Sequence, residues 1–297
     1  MAQDRNRRPN NRNKSTGRNP NSPKRIDLSR RPNRSERGGS RPVHKEHGLG
    51  GEQIEGRQAV RELLLGARRK VREIWIANDI ESSPVIDDIL EIARDQRVQV
   101  MNVSRREIER EARSEAPQGI LAKAAPLEET LLADLLIAPR DKPLLLVAID
   151  GVTDPGNLGA ILRCCDGAGV NAVVLPRHRA VHITPTVAKS SAGAIEYLNM
   201  CVVGGLPSAL SEMKAAGVMV VGLDDAAEKS IFELGSTASD SICLVLGAEG
   251  PGLSRLVRER CDLLVNIPML GSLSSLNVSV AAALATYEIV RIRRSSK

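Results

Sequence analysis

Two hydrophobic rhythms alternate along the chain from about residue 49 onward. "EGRQAVRELLLG" puts Ala59, Val60, Leu63 and Leu64 on one face of a 3.6-residue period, the mark of an amphipathic helix. "VREIWIA" and "RVQVMNV" read as strands on either side of "PVIDDILEIARDQ", a helix opened by Pro84. "SRREIEREAR" predicts a charged helix begun by Ser104, and "GILAKA" predicts a further strand. Together these make a small α/β unit over 49–125. Residues 126–142, with one amphipathic segment and "APRDKP", link it to the next unit.

The second unit, 143–297, has a different texture. Apolar runs recur at 144–149, 172–175, 199–203, 218–222, 242–246 and 263–267. Helical segments such as "GNLGAILRCCDGAG" and "PSALSEMKAAG" separate them. Uninterrupted apolar strands interleaved with helices predict a mostly parallel sheet with helices on both faces. The longest runs, such as "PLLLVAI", are too short to span a bilayer, so no membrane partner is expected.

Charge changes the picture at one end only. Residues 1–48 hold 14 Lys and Arg against 4 Asp and Glu, a net of +10, whereas the other residues hold 28 against 32, a net of −4. The first segment, rich in Arg, Asn, Pro, Ser and Gly, has almost nothing to bury and is expected to be a disordered tail. It carries no apolar core for a secretory signal and no amphipathic period for a transit peptide. Flexible Arg-rich arms engage polyanions through counterion release, which favours nucleic acid over a merely solubilising role. Without an aromatic residue the tail does not bind by stacking. Five cysteines show no CxxC pair and no His partner at metal spacing. They read as buried thiols in a reducing cytoplasm, and no metal is expected.

Ligands of parallel sheets bind at the carboxyl ends of the strands, and three strand ends here carry chemistry. After "AIDGVTDPG", Asn157 stands at a helix start and fits an N-cap; Arg163 follows six residues on, favouring an anion over a structural ion pair. "ICLVLGAEGPGLS" runs a strand into three glycines around Glu249. The loop lacks the Lys of a phosphate loop, and its carboxylate suits an uncharged or cationic ligand brought close to the backbone. The third end, "VNIPMLGSLSSLNVSV", leads into a helix expected to bury Leu276, Val280, Ala283, Leu284 and Tyr287. Ser274 or Ser275 is expected to cap it, leaving Asn277 spare.

"DGVTDPGNLGAILR", "VLGAEGPGLS" and "IPMLGSLSSLNVSVAAALA", in this order and spacing, resemble the SpoU/TrmH family of SPOUT methyltransferases. The first unit resembles the small RNA-recognition domain that precedes the catalytic domain in many members, through "EGRQAVRELL" and "APQGILAK". The resemblance implies a trefoil knot in the C-terminal domain, a homodimer, and S-adenosylmethionine (SAM) bound by the knot loops. The implied cofactor contacts are Leu246, Gly247, Gly250, Gly252, Ile267, Met269 and Leu276. The implied reaction is methyl transfer to a ribose 2′-hydroxyl of ribosomal RNA, with a guanosine of the large subunit favoured and tRNA as runner-up. A non-catalytic rRNA-binding assembly factor and a nucleotide enzyme of other chemistry are the rival classes.

By this resemblance Asn157, Arg163, Glu249, Ser275 and Asn277 line the reacting end of the site. The family's arginine is often assigned as general base, activated by the substrate phosphate. Because a guanidinium is not expected to lose its proton, the alternative taken for Arg163 is bidentate contact with the phosphate beside the target ribose. Asn157, Ser275 and Asn277 orient the hydroxyl and the loops, and Glu249 holds Arg163 or relays a proton. The chain departs from many members at Gly156, where they have His, and at Pro117-Gln118-Gly119, where they have His-Gln-Gly. The stretch "KSSAGAIE", residues 189–196, also matches the family but receives no role.

Overall fold

The apolar runs become strands and the amphipathic runs become helices, nearly all at the expected positions. The computed structural model describes residues 49–178 and 183–295. The basic segment 1–48, expected to be disordered, lies outside the described residues.

The first unit contains β1 (Gln53–Glu55), α1 (Arg57–Gly66), β2 (Val71–Ala77), α2 (Pro84–Asp95), β3 (Gln99–Val103), α3 (Arg105–Glu111) and β4 (Ile120–Ala124). Its four-stranded sheet has the order β1-β4-β2-β3, with β2 parallel to β3 and β4 antiparallel to both its neighbours. Ala59, Val60, Leu63 and Leu64 are the buried face of α1, as their spacing predicts. Ser104 caps α3 in a reciprocal capping box with Glu107. β1 was not expected, because three residues are too few to show a period.

The linking segment holds α4 (Leu132–Ile137), and the second unit continues with β5 (Leu145–Asp150), α5 (Pro155–Gly167), β6 (Ala172–Pro176), α6 (Pro185–Ser190), β7 (Met200–Val203), α7 (Leu206–Ala215), β8 (Met219–Leu223), β9 (Ile242–Gly247), α8 (Arg255–Arg258), β10 (Leu263–Val265) and α9 (Val278–Ser295). Its six strands run in the order β10-β8-β9-β5-β6-β7, and every pairing is parallel. Successive residues of β5 face opposite ways: Leu145, Val147 and Ile149 enter one apolar cluster, Leu146 and Ala148 the other. This is why its sequence is apolar throughout. The first cluster also contains Ile54, Ile74 and Ile120 of the small sheet, so one core runs under both sheets.

The C-terminal helix overturns one expectation. Its buried face is Val278, Ala281, Ala282, Ala285, Ile289 and Ile292, while Val280, Leu284 and Tyr287 are about half exposed. Both stripes repeat at helical spacing, so the period alone could not choose between them. Packing chose the small residues, because Ala lets α9 lie close against α5 and the sheet.

Candidate active site

Three loops leave the carboxyl ends of β5, β9 and β10 and meet. After β5, Asp154 caps α5, its carboxylate accepting from the Asn157 N–H at 2.6 Å, with Pro155 at the first helical position. The expected cap was Asn157. The Asp-Pro pair outcompetes it because Pro fits the first helical position and needs a capping residue before it. Asn157 therefore sits inside the first turn, and its side chain is released from capping α5. Asp150, the last residue of β5, accepts from the Ser254 N–H at 2.7 Å and ties the loop that follows β9 to this strand.

The β9 loop folds back on itself. Ala248 and Gly252 exchange backbone hydrogen bonds of 3.1 and 3.0 Å, with Glu249 at the tip. A Cβ on Gly247 would fall 2.3 Å from the Gly252 carbonyl carbon, so only glycine permits this closure. The Glu249 carboxylate accepts from Asn277 Nδ2 at 2.7 Å and from the Val278 N–H at 3.4 Å. Negative charge at the start of α9 is favourable there.

Asn277 is not spare. Its Oδ1 accepts from the N–H of Ser279 at 2.9 Å and of Val280 at 3.4 Å, so Asn277 itself caps α9. Its Nδ2 donates to Asn157 Oδ1 at 2.9 Å as well as to Glu249. Ser274 and Ser275, the expected caps, are exposed in the preceding loop. One amide thus caps a helix and joins all three loops.

Beside this junction lies a cavity of about 470 Å³. Of the residues expected at the site, Leu246, Gly247, Glu249, Gly250, Gly252, Ser275, Leu276 and Asn277 line it. Asn157 borders it through Asn277, while Ile267 and Met269 are half-buried and are not among its lining residues. Arg163 is exposed and has no ion-pair partner among the described residues; Glu249 is held by Asn277 instead. Arg163 shares a stripe of α5 with Gly167, where a Cβ would meet the Tyr287 hydroxyl. It thus stands beside the exposed apolar stripe of α9. Three charged lining residues escaped sequence reading: Asp224, Asp225 and Arg258. Asp224 and Asp225 follow directly after β8, a strand end in a parallel sheet, and that position was the available signal. Arg258 is tied to Asp224 at 3.1 Å.

The cavity fits SAM. Its volume is that of a small-molecule site. Among the described residues its lining holds one cation, Arg258, which is paired with Asp224, and Asp225 and Glu249 add further carboxylates. Such walls favour a sulfonium and an ammonium over a phosphate. Residues 144–287 match the SpoU rRNA Methylase family, and residues 53–130 match the RNA 2′-O ribose methyltransferase substrate-binding family. A 23S rRNA (guanosine-2′-O-)-methyltransferase of Pseudomonas putida is 39% identical over 246 residues, 82% of this chain and 97% of its own length. The chain belongs to the SpoU rRNA methylase family. As a member it is an RNA 2′-O-ribose methyltransferase that uses SAM. A TrmH family tRNA/rRNA methyltransferase of Bacillus subtilis is 38% identical over 241 residues, 80% of this chain and 94% of its own. Among solved structures, the SpoU methyltransferase AviRb of Streptomyces viridochromogenes in complex with AdoMet has a TM-score of 0.69 and 28% identity, covering 82% of this chain and 90% of its own.

Among the described residues no helix is long and apolar enough to cross a membrane, and no cluster of side chains is arranged to hold a metal. All five cysteines are free. Burial pushes the Cys201 thiol up to about 11 and that of Cys261, beside Asp262, up to about 12, which keeps both thiols protonated.

Proposed function

We propose that this SpoU family member methylates the 2′-hydroxyl of a guanosine ribose in large-subunit ribosomal RNA. The observation that carries the reading is the Asn157–Asn277–Glu249 junction at the edge of the cavity. Relatives spanning both sheets, with 23S rRNA guanosine in their names, give the substrate. SAM bound in the cavity supplies an electrophilic methyl group. Leu246, Gly247, Gly250, Gly252 and Leu276 contact it there, with Ile267 and Met269 on the segment leading in.

The side chains orient the nucleophile. Asn157, Asn277 and Ser275 orient the hydroxyl and the loops of the site, and alignment is worth several kcal/mol of barrier. Glu249 holds Asn277 in place and accepts the hydroxyl proton. Arg163 takes the neighbouring phosphate in bidentate contact; a guanidinium does not act as the base.

The same reading includes a homodimer. α9 is apolar on two stripes, and the outer one, Val280, Leu284 and Tyr287, covers a second copy. Arg163 beside that stripe stands at the subunit boundary. The loops after β9 and β10 thread as a trefoil knot, the module boundaries are 49–125 and 143–297, and the protein works in the cytoplasm, where its free thiols stay reduced.

Mapping tests the target. Large-subunit rRNA from cells lacking the protein, treated with the purified enzyme and SAM, should gain one bond resistant to alkaline cleavage, 3′ of a guanosine. Protection appearing only in tRNA would move the substrate to the runner-up.

A further inference from the structure

The segment 189–196, "KSSAGAIE", lies between the two sheets and grips both. On the side of the first sheet, Lys189 Nζ donates to the carbonyls of Glu115 and Ala116, the latter at 2.7 Å. Glu196 takes Arg69 in a bidentate pair at 2.6 and 2.9 Å, with both side chains under 5% exposed. The same guanidinium donates to the carbonyls of Gly51 and Ala125, so this pair anchors the entry to β1 and the exit of β4 together. Gly193 adopts φ 86, and a Cβ there would lie 2.5 Å from Glu62 Cβ of α1. Tyr197, the next residue after the segment, donates to Glu62 at 2.6 Å.

On the other side the segment holds the reacting end. Ser190 Oγ donates to the Thr186 carbonyl at 2.8 Å and lies 3.2 Å from the Pro155 carbonyl, in the first turn of α5 that also carries Asn157. A Cβ on Gly159 of the same helix would fall 1.9 Å from Ser190 Oγ, so the two segments are in direct contact. Gln118 closes the path: its Oε1 accepts from the Arg57 N–H at 3.0 Å at the start of α1, and the Gly56 backbone sits between Gln118 and Lys189. Few intervening groups therefore separate the loop 115–119 from the helix start at Asn157. Buried, bidentate pairing with backbone carbonyls in addition is far more than surface adhesion between two modules needs.

We infer that residues 189–196 are a coupler that fixes the RNA-recognition module in register with the transfer site of the same chain. Lys189 and Glu196 are positioning residues for methyl transfer. This rests on the rRNA reading given above. Its chemical sense is that a large folded RNA touches both modules at once, and the distance between them selects which ribose reaches Asn157. Nothing in the segment needs to touch SAM.

Two measurements on the full chain test it. Spin labels at Asp95→Cys on α2 and Glu212→Cys on α7, with Cys164 and Cys261 replaced by Ser, report the inter-module distance. The background chain should give one narrow distribution, and Glu196→Gln and Lys189→Met should broaden it. A broad distribution in the background chain overturns the coupler. Methyl transfer to large-subunit rRNA is then measured for both variants beside SAM binding. Turnover should fall on the order of tenfold to a hundredfold, with SAM affinity and binding stoichiometry unchanged, because displaced reactants lose alignment. A fall only in proportion to lost SAM-binding capacity means a structural role and overturns the positioning claim. Lys189→Met serves if Glu196→Gln does not fold, since it removes only an exposed contact. Narrow distances that the variants broaden, with no transfer by any chain, would sink the rRNA reading and leave the coupler supported.

Discussion

Asn277 donates its side-chain amide to Asn157 at 2.9 Å, joining the starts of two helices 120 residues apart in sequence. The other half of the same amide caps α9, and its second N–H holds Glu249 at the tip of the glycine loop. Stability and function therefore meet in one side chain and can be separated by chemistry.

Asn277→Ala removes cap and bridge together. It should destabilise the protein by about 1 kcal/mol, the usual worth of an N-cap, and lower turnover by on the order of a hundredfold through lost alignment. Asn277→Ser keeps a capping oxygen but is too short, and lacks the amide, to donate to Asn157 and Glu249. Thermal unfolding should then recover toward wild type while activity does not. Equal recovery of both would show that the bridge to Asn157 and Glu249 has no part in the reaction.

Gly247→Ala tests the cavity wall. Its Cβ would fall 2.3 Å from Gly252, so the loop must open, at a cost of roughly 1–3 kcal/mol for overpacking. SAM affinity measured by calorimetry should drop at least about tenfold, the equivalent of some 1.4 kcal/mol, with the helical signal of the folded chain retained. Unchanged affinity would mean that the closed loop does not shape the cofactor site.

The outer stripe of α9 predicts the assembly. Leu284→Glu with Tyr287→Glu places charge on residues 44% and 50% exposed, so the isolated fold should tolerate it. Sedimentation should show a dimer for wild type and a monomer for the variant, with rRNA methylation lost as Arg163 loses its boundary. A wild-type monomer, or a dimer untouched by both changes, would place the interface elsewhere.

Much of this was legible in the sequence. All six apolar runs of the second unit are strands, because a parallel sheet covered on both faces leaves no polar alternation to confuse the reading. What failed was local competition. Asn157 was a plausible cap until Asp154 and Pro155 took the role, and Asn277 looked surplus because two serines stood nearer the loop. Neither contest can be judged without knowing where the helix begins. The buried stripe of α9 was misread for a different reason: two apolar stripes share one helix, and only tertiary packing says which faces inward. Asp224 and Asp225 were missed since a carboxylate after a short strand resembles any polar turn.

Alkaline unfolding probes the packing around the coupler. Burial first, and then the hydrogen bond to Glu62, raise the Tyr197 phenol from its ordinary value of about 10 to about 12. A phenol raised in the folded state contributes stability that is fully present below about pH 10 and lost as pH rises through about 12. The difference in Tm between wild type and Tyr197→Phe should be constant up to about pH 10 and shrink above it. A difference independent of pH from 9 to 12 would mean that this hydroxyl contributes nothing to the junction.

The central claim is tested most directly by transfer of tritiated methyl from SAM to separated rRNA and tRNA taken from cells lacking this protein. Wild type should label large-subunit rRNA, and Arg163→Ala should bind SAM with wild-type affinity yet leave that rRNA unlabelled. Full labelling by Arg163→Ala, or a wild-type chain that binds SAM and labels neither pool, would contradict the account.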